Sequence, residues 1–189
     1  MTEAPATPAA VFLDACVLYP QLTRAIALGA ARAGLYRPAW SGRVLDEWRL
    51  AAARDGGLAA ERAVAAEAAA MRAAFPHAEV VPDPAVEASL DLPDRADVHV
   101  VAGAVAAGAV VILTLNLRDF PARRLAPFGV EARHPDGFFW ELLSRAPEAM
   151  APVIRRAFGP LDASGPRAER NALKRAALSR LGKAWEAMA

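Results

Sequence analysis

The run Ala109-Val110-Val111-Ile112-Leu113-Thr114 constrains this chain more than any other stretch. Unbroken apolar residues, rich in β-branched side chains, leave no polar face for solvent. Such a strand is buried on both sides, as in a parallel sheet covered by helices on each face. A helical stretch over residues 94–107 precedes it and stops at Gly108. Val11-Phe12-Leu13 reads as an earlier buried strand, followed by a helix over 21–33 that stops at Gly34. Ser41 is placed to cap a helix over 41–54, with Val44, Leu45 and Trp48 as its apolar stripe. An alanine-rich helix over 58–75 ends at Pro76, and short strands are expected at 79–81 and 130–132. Strands alternating with helices predict an α/β fold, a three-layer α/β/α sandwich with a central parallel sheet. Beyond Pro135 the pattern is wholly helical. The expected division is a domain over 10–135 and a helical C-terminal extension over 136–189, with a loose leader over 1–10 and a hinge over 159–166.

Bulk composition excludes several classes. At 55% hydrophobic residues the chain is no disordered polymer, and at net charge +1 it is no polycation. The charge is uneven: from Arg145 onward nine Lys/Arg face four Asp/Glu, leaving the first 144 residues at −4. Cys16 is the only cysteine, which excludes an internal disulfide and a cysteine-based zinc site. Its thiol is either a nucleophile or a small buried hydrophobe, and the second is expected. No basic start leads into an apolar core at the N-terminus, and the uncharged stretch 100–115 is too short to span a bilayer. A cytoplasmic protein without membrane contact is expected.

Four acids stand out by position. Asp14 ends the first strand, Glu47 lies on the helix capped by Ser41, Asp97 opens the helix before the central strand, and Asp119 follows that strand. Ligands of open α/β sheets bind beyond the carboxyl ends of the strands. Carboxylates gathered there would cage a hard divalent cation such as Mg²⁺, which takes oxygen ligands and keeps several waters. That chemistry points to phosphoryl transfer. Asp46 competes with Glu47 as the inward-facing acid. Asp94 is either an outer-sphere acid or the cap of the helix bearing Asp97, with the cap favoured. His99 reads as a packed core histidine rather than a catalytic one. Trp40, Trp48, Trp140 and Trp185 read as core in preference to RNA-stacking platforms.

These residues fall in an order that resembles the PIN-domain nucleases. VFLDACVLYP is similar to that family's opening strand, SGRVLDEWRL to the helix carrying its glutamate, and LPDRADVHVVAGAVAAGAVVILTLNLRDFP to its core. The likeness runs over about residues 10–135 and is nearest to the VapC-like toxin ribonucleases of type II toxin–antitoxin pairs. It implies metal ligands at Asp14, Glu47, Asp97 and Asp119, and a threonine at Thr114 beside the metal or the scissile phosphate. Asn116 stands where many PIN domains have an aspartate, which removes one negative charge. The resemblance further implies an Mg²⁺- or Mn²⁺-dependent endoribonuclease acting on RNA, a small VapB-like antitoxin and a PIN–PIN homodimer. Arg123, Arg124 and the tail arginines are candidate phosphate contacts. The alternative is a PIN-like module that binds RNA or protein without cutting, suggested by Asn116 and the basic tail. A phosphatase with Asp14 as nucleophile is disfavoured, because such enzymes want a second Asp where this chain has Cys16.

Overall fold

The computed structural model describes residues 9–159 and 165–188. Most of the expected leader and of the expected hinge therefore lies outside the described residues. The elements run β1 (Ala10–Leu13), α1 (Ala15–Leu18), α2 (Gln21–Arg32), β2 (Arg37–Ser41), α3 (Gly42–Ala74), β3 (Glu79–Val80), α4 (Pro84–Ser89), α5 (Val98–Ala106), β4 (Ala109–Leu113), α6 (Ala122–Leu125) and β5 (Glu131–Arg133). Four helices follow: α7 (Pro135–Arg145), α8 (Pro147–Phe158), α9 (Pro166–Arg175) and α10 (Ser179–Glu186). The strands form one parallel sheet in the order β3-β2-β1-β4-β5. This is the three-layer α/β/α arrangement that the central apolar run predicts.

Burial explains the sheet's centre. Phe12, Leu13, Ile112 and Leu113 on β1 and β4 are fully buried. Each such side chain contributes roughly 1.5–3 kcal/mol by leaving water. Successive strand side chains point to opposite faces, so total burial of neighbours requires cover on both. Chain order reverses between β1 and β4, and this switch point is where open α/β sheets place their sites.

One strand was not expected. Residues 37–41 carry Pro38, which has no N–H to give to a ladder, yet they form β2 in the interior of the sheet. The backbone explains the tolerance. Arg37 N donates to Ala9 O at 3.0 Å, whereas Trp40 N donates to the opposite side, to Ala78 O at 2.9 Å. Pro38 nitrogen thus faces the β3 side, and β3 pairs only with Trp40 and Ser41, so its missing donor removes no ladder bond. Ser41 ends β2 and also caps α3, its Oγ accepting from Val44 N at 3.3 Å. The two helices expected over 41–54 and 58–75 are the arms of α3, bent where Gly57 takes φ 65°, ψ −161°.

The C-terminal helices pack on the sheet domain through α2, where Gly29 admits Val153 of α8 so closely that an added Cβ would lie 2.7 Å from Val153 Cγ1. Asp136 of α7 accepts from Arg180 N at 2.9 Å and Leu181 N at 2.8 Å, satisfying the first free amides of α10. Trp40, Trp48 and Trp185 are core residues, and Trp140 is half-buried beneath the Arg180 guanidinium, 3.4 Å above its ring.

A second close approach sets the position of α5. A Cβ on Gly103 would lie 2.5 Å from Phe12 Cε2 and Cζ. Gly103→Ala is therefore expected to destabilise the fold by about 1–3 kcal/mol, although alanine is the better helix former. Thermal melts should show the loss, and adding Phe12→Leu should recover part of it. A Gly103→Ala protein as stable as wild type would refute the close fit.

Candidate metal centre

The register of β1 on β4 brings the first site residues together. Leu13 pairs with Leu113, Asp14 N donates to Leu113 O at 3.1 Å, and Thr114 N donates to Arg133 O at 3.0 Å. Asp14 and Thr114 therefore leave the sheet side by side. Thr114 Oγ1 donates to Asp14 Oδ2 at 2.7 Å and accepts from Asn116 N at 3.1 Å. At 0% exposure this hydroxyl is committed to holding Asp14 and does not face solvent.

Cys16 completes the support. Its thiol donates to Asp14 Oδ2 at 3.0 Å, and its sulfur accepts from Leu115 N at 3.2 Å. Burial, followed by the charge of Asp14 and the hydrogen bond to it, pushes the thiol pKa up to about 12. It stays protonated near neutrality, so it is a donor and not a nucleophile. Asp14 Oδ1 accepts no hydrogen bond among the described residues, which leaves one oxygen of a nearly buried carboxylate open.

Asp97 stands at the N-terminal end of α5, and Asp94 Oδ1 accepts from Ala96 N at 2.8 Å, the capping role expected of it. Burial pushes the Asp97 carboxyl up to about 6, and the charges of Asp14, Asp94 and Asp119 add to that push. The acids of three separated segments thus share one electrostatic neighbourhood. Asp119 is fixed by the Asn116 side-chain amide, which donates to its Oδ2.

Glu47, not Asp46, is the inward acid. Asp46 is exposed, its oxygen 3.6 Å from Arg49 Nε, while Glu47 is half-buried. Glu47 Oε1 lies 2.9 Å from His99 Nε2 and 3.4 Å from Arg43 Nε. The His99 contact is a close ion-pair approach, and neither ring nitrogen of His99 has a hydrogen-bond partner of good geometry among the described residues. Arg43 also donates to Ala96 O at 3.2 Å, tying α3 to the turn before Asp97. Burial alone would raise the Glu47 carboxyl. The close contact with His99, then that with Arg43, outweighs it and holds the carboxyl below its usual range. His99 is 1% exposed, so it is a packed residue as expected, and it braces a candidate ligand as well. Its helical position gave no hint of that, because Glu47 comes from another helix.

Hard carboxylate oxygens, an open Oδ1 and an acid repelled by three others suit a divalent cation in charge and donor type. The acids stop short of a finished cage. Among the described residues, no three His, Cys, Asp or Glu side chains already stand close enough to hold one ion. Arg124 lies 2.7 Å from Asp91, and Arg123 is exposed.

The sheet carries its acids at the β1/β4 switch point, and the chain belongs to the PIN-domain family, which it matches over residues 9–118. That match covers more than half of the chain and ends one residue before Asp119. A stretch of 58 residues is 45% identical to "Putative ribonuclease VapC50" of Mycobacterium tuberculosis strain ATCC 25618 / H37Rv. It covers 31% of this chain and 34% of that protein, so the likeness spans about a third of the relative. No solved structure matches the chain at a significant level. Among the described residues no helix is long and apolar enough to cross a membrane.

The Asp97 shift sets a pH dependence for the metal-free protein. Its carboxyl has a folded pKa of about 6 against the ordinary 3.8. The folded state therefore holds this proton more tightly, and the contribution of Asp97 to stability is most favourable below about pH 4 and declines as pH rises through 6. Solvent around this partly exposed side chain limits the effect to about 1 kcal/mol. In EDTA, Asp97→Asn should melt higher than wild type at pH 7.5, with the gap closing near pH 4. A variant less stable at pH 7.5 would refute the repulsion.

Proposed function

We propose that this protein is a metal-dependent endoribonuclease and the toxin of a VapBC-type toxin–antitoxin pair. The observation that carries the reading is the Asp97 carboxyl, half-buried beside the switch point of a PIN-family sheet and pushed up by burial and then by the charges of Asp14, Asp94 and Asp119. Asp14, Glu47, Asp97 and Asp119 are the residues that would hold Mg²⁺ or Mn²⁺. A cation held there supplies Lewis acidity, lowering the pKa of a water and neutralising charge on the scissile phosphate.

The remaining roles belong to the chain. Thr114 and Cys16 hold Asp14 by Oδ2, which leaves Oδ1 without a hydrogen bond among the described residues and free to take a cation. His99 and Arg43 keep Glu47 ionised and in place. The Asn116 amide steadies Asp119 where a fourth aspartate would only add repulsion. Hydrolysis breaks the bond between phosphorus and the 3′ oxygen, leaving a 3′-hydroxyl and a 5′-phosphate. The name of the mycobacterial relative supports RNA as the polymer. A VapB-like antitoxin covering the acidic cleft, a homodimer and a cytoplasmic location complete the proposal, as does the division at residue 135.

Asp14→Asn and Asp97→Asn should each lower RNA cleavage in Mn²⁺ by about a hundredfold or more, and EDTA should abolish the wild-type reaction. Gel assays on a mixed RNA pool would read this, and equal cleavage by all three proteins would overturn it. His99→Leu should weaken Mn²⁺ binding about tenfold by calorimetry, while His99→Gln, whose amide reaches toward the position of Nε2, should keep it. Expression without the neighbouring small gene should arrest growth, and harmless expression would remove the toxin assignment.

The second reading is a module that binds RNA or protein without cutting. It is favoured by Asn116 in place of an aspartate and by the absence, among the described residues, of three preassembled ligands. Calorimetry with Mn²⁺ separates the two, since only the enzyme requires carboxylate-dependent binding.

A further inference from the structure

Beside the acidic centre lies a hollow of about 460 Å³ between the end of α1 and the first arm of α3. Cys16, Glu47 and Leu115 line it and also belong to the centre. Tyr19 lines it as well, and at 40% exposure this aromatic ring is open to solvent. Two contacts fix it there. The phenol donates to Asp55 Oδ2 at 2.5 Å, and its backbone carbonyl accepts from the Arg24 guanidinium at 3.1 Å. Arg24 is buried and paired with Glu67 at 2.6 Å, so the turn carrying Tyr19 is braced from beneath. An aromatic ring already held in place loses little entropy when a ligand stacks on it.

Size and charge narrow the ligand. A volume of this order accepts one nucleoside and excludes a duplex. The wall is mostly apolar and carries both signs, Glu47 and Asp55 against Arg54, so a neutral planar group suits it better than a phosphate. Continuity with the centre means that a group seated here is attached close to the bond being cut.

We propose that this hollow is a subsite for one unstacked nucleobase of single-stranded RNA adjoining the scissile phosphate, with Tyr19 as its stacking face. The proposal rests on the ribonuclease reading above and adds where the substrate is gripped.

The test walks one abasic ribonucleotide through a short single-stranded RNA around the mapped cleavage point. For wild type, kcat/KM should fall about tenfold at one position next to the cut, the scale of one base–aromatic stack. Tyr19→Ala should show that same loss on intact RNA and no further loss at that abasic position. Tyr19→Phe, which keeps the ring and lacks the bond to Asp55, should retain the wild-type pattern. Losses that multiply when Tyr19→Ala and the abasic site are combined would overturn the subsite and leave the hollow to a protein partner. Melting temperatures within a few degrees of wild type confirm that the variants fold. If wild type cuts no RNA in Mn²⁺, the ribonuclease reading fails by itself. The subsite is then judged in EDTA with an oligoribonucleotide carrying 2-aminopurine. Fluorescence quenching by wild type that disappears with Tyr19→Ala upholds it, and absence of quenching overturns it.

Discussion

The register of β1 against β4 is the constraint from which the rest of the site follows. Pairing of Leu13 with Leu113 places Asp14 and Thr114 in hydrogen-bond contact at the carboxyl edge of the sheet. A slip of one residue would turn every side chain of β1 to the opposite face and bury Asp14 among apolar groups. The fully buried Phe12, Leu13, Ile112 and Leu113 make that slip prohibitive. Phe12 then sets the distance of α5 through its contact with Gly103, and α5 carries Asp97 at its N-terminal end. Core packing and acid placement are therefore one event.

Electrostatics works against the fold at the same place. Burial and then the neighbouring acids raise the Asp97 carboxyl, and the structure answers by giving the other acids partners of their own. Asp14 has Thr114 and Cys16, Glu47 has His99 and Arg43, and Asp119 has Asn116. Among the described residues, Asp97 has no side-chain donor. An unrelieved carboxylate in a half-buried position is costly unless a cation joins it, and perturbed acids of this kind cluster at functional sites. That Asn116 stands where another aspartate is common limits the repulsion further.

Much of this was legible in the chain because its signals are local. The apolar run at 109–114, the alternation of strands and helices, the cap at Ser41 and the cap at Asp94 depend on near neighbours, and each is found where expected. Strand β2 was not legible, since Pro38 is harmless only because β3 joins one turn of the ladder later. The supports of the centre were not legible either. Cys16, Arg43 and His99 act on residues of other elements, or through a backbone contact that exists only after the sheet has formed. No spacing rule reports a contact between α3 and α5.

The sequence by itself determined the α/β class, the parallel sheet and the four acids at the ends of its segments, because hydrophobic period and residue type act over a few positions. Only the tertiary structure decided which oxygen of Asp14 stays open, that Glu47 rather than Asp46 turns inward, and that Tyr19 is presented beside them. Those outcomes depend on distances between elements far apart in the chain, and such distances are set by how side chains pack when the layers close.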